Sequence, residues 1–171
     1  LVTIGSSRPG VVGIDLAGGP APNHSHCLLD YAPAFSKARD LGLGRTVHAG
    51  EGRPPEEIRE SIIHLHAQRI GHGTTLLQDP SVVDLVLERN VVIEACPTSN
   101  VHTSSIPNLE SHPLKKWMEL GVSACINTDN TLFSNINSPQ EYLRVATALD
   151  LSETDISILC QNGHRARFGV Y

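Results

Sequence analysis

Short β-branched runs alternate along the chain with longer segments whose apolar positions recur at helical spacing. The runs are VVGIDL (11–16), RTVHA (45–49), RIGH (69–72), VVIEAC (91–96) and VSACINT (122–128). They are apolar and bounded by Gly, Pro or Asn, the pattern of strands buried in a parallel sheet. Residues 30–41 carry Tyr31, Phe35 and Ala38 on one helical face. Residues 55–67 open with Pro55 and two glutamates, which suits a first helical turn. Asp79-Pro80 supplies an N-cap and an N1 proline for a helix to Arg89. His112-Pro113 opens another that stops at Gly121. Ser138-Pro139 and the pair Ser152/Asp155 start the last two. Strand alternating with helix predicts an α/β fold with a parallel sheet. No linker or low-complexity tract divides residues 1–171, so one domain is expected. About five βα units are present, whereas a closed (β/α)8 barrel has eight strands and about 250 residues. The pattern therefore leaves two architectures open, an open sheet or an incomplete barrel. In either, uncovered apolar strand faces and two open sheet edges are expected.

Composition narrows the class. With 171 residues, 40% hydrophobic and 18% charged, the chain can build an ordinary globular core. Net charge is −5 and basic residues are scattered. The adjacent Lys115 and Lys116 beside Trp117, expected to be half-buried, read as a solvated helix face. No nucleic-acid partner is expected. No apolar run approaches the roughly 20 residues of a membrane span. The start, LVTIGSSRPG, has no basic and apolar leader and no initiator Met. The chain is thus expected to begin downstream of its gene's start. Cys27, Cys96, Cys125 and Cys160 are far apart and form no CxxC, which reads as reduced, mostly buried thiols in a cytoplasmic protein.

The chemistry gathers where strands end. Asp15, His48, His72, Cys96 and Asp129 stand at or just past the five runs, at separations of 33, 24, 24 and 33 residues. Each separation is one βα unit, so all five ends should share one rim, the C-terminal rim where barrel enzymes keep their active sites. Glu51 follows His48 by three residues. Imidazole and carboxylate ligands suit a catalytic zinc with an open position for water. Such a metal lowers the pKa of its water to about 7. Glu51 can shuttle a proton and His72 can orient the water. These parts describe metal-assisted hydrolysis.

VVGIDLAG, TVHAGE, RIGHG, EACPTSN and NTDN, in this order and spacing, resemble the adenosine deaminase family of the amidohydrolase superfamily. HAGE with GHG is a specific signal; DLAG or CPTSN alone would be weak. The resemblance runs from about Val11 to Tyr171 and implies a (β/α)8 barrel of which this chain supplies about strands four to eight. It implies hydrolytic deamination of a 6-aminopurine nucleoside, adenosine to inosine and ammonia, with one zinc per site. By the resemblance His48 and Asp129 are zinc ligands, Glu51 protonates purine N1 and His72 assists the water. Gly18 offers its backbone N–H to the purine edge, and CPTSN shapes the rim. Adenine or an N6-modified purine remains an alternative substrate. A metal-free half-barrel with a binding role remains an alternative class.

The chain departs from the family pattern in three places. The first-strand H-x-H zinc ligands are missing, so the N-terminal half of the barrel is an expected partner, as a separate chain or otherwise. His24/His26 and His64/His66 do form H-x-H pairs. The first falls in a Pro/Asn-rich loop. The second falls in a predicted helix, where residues two apart do not share a face. Both read as surface or packing histidines. After DLAG, Gly19-Pro20 stands where the family has Asp-Glu. Asn130 replaces the usual second Asp of NTDD, either donating to purine N7 or capping the loop that follows. His102 and His112 read as polar loop residues, Asn100 as a rim or turn residue, and His164 as a cap or packing group near the chain end.

Overall fold

The computed structural model describes residues 1–18 and 26–169. In chain order the elements are α1 (Val2–Ser6), β1 (Gly13–Leu16), α2 (Ala32–Asp40), β2 (Gly44–Ala49), α3 (Glu56–Ile63), β3 (Arg69–His72) and α4 (Pro80–Glu88). These are followed by β4 (Val92–Ala95), α5 (Pro97–His102), α6 (Leu114–Glu119), β5 (Ala124–Ile126), α7 (Thr131–Ser134), α8 (Ser138–Leu149) and α9 (Glu153–Arg165). The five strands are all parallel and lie in sequence order β1-β2-β3-β4-β5. That unbroken order is an arc of a barrel; a doubly wound sheet would reverse its order at a switch point.

Register divides the sheet into two faces. Val47, Ile70, Ile93 and Ala124 are aligned neighbours, and all are fully buried. Helices cover this face with Phe35 from α2, Ile58 from α3, Val82 and Val86 from α4, Trp117 from α6, Val145 from α8 and Leu159 from α9. The opposite face carries Asp15, Thr46, His48, Arg69 and Glu94. Arg69 Nε lies 2.8 Å from Glu94 Oε1, and Thr46 donates to Glu94 Oε2 at 2.8 Å. The expectation of uncovered apolar faces is therefore corrected. The side that looks into the barrel is polar and ion-paired, because side chains alternate along each strand and only every second one meets the helices. Among the described residues β1 and β5 each pair on one side only, as expected for an incomplete barrel.

Most predicted helices form near their signals. Asp79 caps α4 by accepting from Ser81 N, and Ser152 with Asp155 makes a capping box on α9. The segment 55–67 is shorter than expected: α3 ends at Ile63, and His66 takes a left-handed φ of 52°. There the chain must turn back into β3, and Arg45 Nε donates to the His66 carbonyl at 2.8 Å. Trp117 is fully buried, not half-buried, in the core between α6 and the sheet.

Candidate active site

The candidate site stands at the C-terminal ends of β1, β2 and β3. His48 lies in register with Gly71, and a Cβ on Gly71 would meet the imidazole at 3.3 Å. The absent side chain lets the ring lie across β3. His48 Nδ1 donates to Asp15 Oδ1 at 3.2 Å. That bond, reinforced by the charges of Asp15 and Asp129 and opposed by burial, raises the His48 pKa above its ordinary value. It also turns Nε2 outward, the orientation a carboxylate gives a metal-binding histidine.

Strand alternation alone would put His72 on the helix-covered face beside Ile70. Its backbone instead takes φ 69°, an uncommon region for a residue with a side chain. The ring then lies 5.0 Å from that of His48, edge to face, with Nε2 3.7 Å from Glu51 Oε2. His72 is 2% exposed, and burial lowers its pKa against the opposing pull of Glu51. Glu51 is anchored by Thr103, whose hydroxyl donates to Oε1 at 2.8 Å. Asp129, also left-handed at φ 56°, accepts from Ser99 Oγ at 2.6 Å.

Two further predicted contacts have geometry of their own. Gly18 holds φ 92° with open space where a Cβ would stand, so backbone conformation is what selects glycine there. It lines a cleft of about 320 Å³ with Leu16, Leu28, Tyr31, His48 and Arg53. Asn130 is the N-cap of α7, its Oδ1 accepting from Phe133 N at 2.8 Å. The cap uses the oxygen and leaves the NH2 as the outward donor.

Cys96 is a buried thiol, in line with the reading of the cysteines; its Sγ contacts the Glu94 carbonyl and burial pushes its pKa well up. Other expectations change. CPTSN is a helix start: α5 buries Pro97, Thr98, Ser99 and Asn100. Glu141 holds its first turn by accepting from Thr98 N and Oγ1 at 2.8 and 2.5 Å. Asn100 is fully buried and His112 is 4% exposed, so His112 is not a loop-surface residue. Both join the site through His72, a link that 28 and 40 residues of separation conceal in the sequence. His66, half-buried, meets Ser36 and Arg39, while His26 is exposed and 3.7 Å from Asp30. His24, Gly19 and Pro20 lie outside the described residues.

His112 makes a testable contribution to stability. Burial lowers its pKa to about 4, so the folded chain keeps it neutral where the unfolded chain, at about 6.5, takes a proton. The stabilisation is complete above about pH 6.5 and is lost as pH falls toward 4, amounting to about 2 kcal/mol by pH 5. Urea midpoints at pH 7.5 and pH 5 should converge in His112→Phe relative to wild type. An unchanged pH dependence in the variant would refute the assignment.

The His48 Nε2 and the Asp129 carboxylate are groups that zinc takes. Among the described residues no three His, Cys, Asp or Glu side chains stand together as a complete metal-binding group. Two such donors, His48 and Asp129, are fewer than the three protein ligands of a catalytic zinc.

A parallel arc that gathers imidazoles and carboxylates on its C-terminal rim is the layout of barrel enzymes that carry out hydrolysis. Comparison with known proteins narrows this: residues 3–169 match the family model described as adenosine deaminase, and the chain belongs to that family. An adenosine deaminase of Serratia proteamaculans is 40% identical over 161 residues, covering 94% of this chain and 48% of the relative. The chain spans about half the length of the curated relatives it matches. An adenine deaminase from Arthrobacter aurescens superposes with a TM-score of 0.85 at 28% identity, over 93% of this chain and 48% of that one. The N6-methyl-AMP deaminase of Arabidopsis thaliana superposes equally well, at 26% identity, over 99% of this chain and 49% of that one. The fold is accordingly α/β, an incomplete (β/α)8 barrel. Among the described residues no helix is long and apolar enough to cross a membrane.

Proposed function

We propose that residues 1–171 are the C-terminal portion of a single metal-dependent deaminase barrel, and that the whole enzyme converts adenosine to inosine and ammonia. The observation that carries this reading is the convergence of His48, His72 and Glu51, with ring centroids 5.0 Å apart and the His72–Glu51 contact at 3.7 Å. His48, through Nε2, and Asp129 would hold zinc together with histidines from the N-terminal half of the barrel, in one polypeptide or as a separate chain. When bound, the metal supplies an activated water at neutral pH. Acting as general acid, Glu51 gives a proton to purine N1, which makes C6 more electrophilic. His72 presents Nε2 to the space beside Glu51 and orients the incoming water. Gly18 meets the purine edge through its backbone N–H.

Asn130 reads N7 in this scheme. N7 is an acceptor, so an Asp in this position must be protonated to donate, whereas the Asn NH2 donates without titration. A 7-deaza nucleoside leaves that donor unpaired, which costs about 1–3 kcal/mol. kcat/KM should therefore fall on the order of 10- to 100-fold relative to the parent. Asn130→Ala should erase the discrimination; equal turnover of both nucleosides by wild type would remove Asn130 from the purine site.

The reading as a whole is tested by metal analysis and ammonia release from adenosine, adenine and N6-methyl-AMP, with the complete protein. The likeness to an adenine deaminase and an N6-methyl-AMP deaminase makes those two substrates the alternatives. Preference for one of them would move the substrate within the class. Absence of both metal and ammonia release would leave a half-barrel with a binding role and overturn the enzyme.

A further inference from the structure

We propose that Asn100 and His112 are positioning residues, forming a buried hydrogen-bond relay that holds His72 with its proton on Nε2, facing the reaction site. The relay starts at a group whose polarity is not negotiable. The Leu114 backbone N–H can only donate, and it meets His112 Nδ1 at 3.1 Å. His112 is therefore an acceptor at Nδ1 and, being neutral, carries its proton on Nε2. That Nε2–H meets Asn100 Oδ1 at 3.4 Å, the longest link of the chain. A carbonyl oxygen only accepts, so the direction is set. The Asn100 NH2 is then turned to His72 Nδ1, at 2.9 Å, and donates to it. His72 Nδ1 is an acceptor in turn, and its neutral ring carries the proton on Nε2, toward Glu51 at 3.7 Å.

The alternative amide orientation fails on the same grounds. It would place the Asn100 NH2 against His112 Nε2, which would have to accept. The His112 proton would then sit on Nδ1, against the Leu114 N–H. One backbone amide thus sets the tautomer of a histidine two side chains away. The members are sealed in: Asn100 is 0%, His72 2% and His112 4% exposed, and the His112 ring packs edge to face on Trp117 at 5.3 Å. Water can neither replace a link nor supply the opposite polarity. The side-chain polar atoms of Asn100 and His112, and His72 Nδ1, are all paired inside the protein, which is what buried polar groups require.

The catalytic consequence rests on the reading of His72 as the group that orients water. A bare Nε2 would accept from the water where Nε2–H donates to it, and would set a lone pair against the Glu51 carboxylate, so the water would be held with the opposite polarity. The relay itself stands on geometry alone, and the experiment separates the two. In the complete, metal-loaded protein, 15N imidazole NMR of labelled histidine should report wild-type His72 as a single species, protonated at Nε2 and bare at Nδ1. Asn100→Leu removes both hydrogen bonds at nearly constant volume. It should give His72 a mixture of tautomers and lower kcat about 10- to 100-fold, the usual cost of losing such a supporting partner. KM and metal content should stay within about twofold of wild type, a split that a general loss of packing would not produce.

Because Asn100 is fully buried, a second pair of variants protects the test against misfolding. His112→Phe keeps the ring and drops both bonds, and should reproduce the mixed tautomer and the kcat loss. His112→Gln retains an acceptor for Leu114 and a donor for Asn100, and should recover most of that kcat. Retention of a pure Nε2–H signal in Asn100→Leu, or equal kcat in His112→Phe and His112→Gln, would overturn the relay. A wild-type protein that releases no ammonia from any aminopurine, yet shows the single His72 tautomer and its loss in Asn100→Leu, would overturn the deaminase reading and keep the relay.

Discussion

Glu51→Gln should leave metal binding intact and lower kcat by about 10²- to 10⁴-fold, the usual contribution of a positioned general acid. The substitution is close to isosteric. The carboxylate oxygen that accepts from Thr103 at 2.8 Å becomes an amide oxygen that can accept the same bond. The side chain stays on the loop after β2, where its other oxygen lies 3.7 Å from His72 Nε2. What is lost is the ability to deliver a proton. Substrate binding should survive, so the loss belongs in kcat, with KM little changed. Steady-state kinetics on adenosine with parallel metal analysis reads both quantities. A loss of less than about tenfold would mean that Glu51 is not the acid, and His72 would take its place as the candidate.

The second large effect is on the metal. His48→Ala and Asp129→Ala should each remove most of the zinc and, with it, the activity, while circular dichroism and the thermal transition show the fold retained. Both side chains project from the barrel-side face and rim, not into the helix-covered core built on Val47, Ile70 and Ile93. Their removal therefore leaves packing largely intact. Asp15→Asn is the graded comparison. It keeps a partner for His48 but takes away the charge that raises the imidazole pKa, and a supporting group of this kind is worth about 10- to 100-fold in metal affinity. Full zinc occupancy in His48→Ala and Asp129→Ala would refute the ligand assignment outright. Equal affinity in Asp15→Asn and wild type would reduce Asp15 to a surface contact.

How much of this was legible beforehand differs from residue to residue. His48 and Glu51 are three positions apart on one strand end, and the spacing of 24 residues to His72 marks one βα unit, so their place on a common rim could be read from periodicity, but the turn of His72 toward His48 could not. Asp15 belonged to the same list of strand ends. Its bond to His48 Nδ1 could not be read, because register between neighbouring strands decides which side chains touch, and a shift of one residue would have sent the carboxylate to the other face. Asn130 was open between capping and recognition, and the structure shows the cap: the amide oxygen holds α7, leaving the NH2 available. Cys96 ends its strand as the others do, yet it is a buried thiol at the start of α5, in line with the reading of the cysteines as buried and of CPTSN as architectural. Asn100 and His112 were read as rim and loop residues because polar types in a Pro- and Ser-rich stretch suggest a solvated loop. Their burial follows from tertiary contacts, Asn100 with His72 and His112 with Trp117, which local propensity does not contain.

What the sequence determined by itself was the alternation of strand and helix, hence the parallel arc, and which residues end each strand. Those depend on neighbours within a few positions, where hydrophobic period and capping chemistry act. The tertiary structure alone decided the polarity of the face that looks into the barrel, the left-handed turn that brings His72 off the face its strand assigns it, and the partners at each imidazole nitrogen. Each of these is a contact across tens of residues, set by register, by a backbone angle that only the packed chain can hold, and by burial that denies water the competing hydrogen bond.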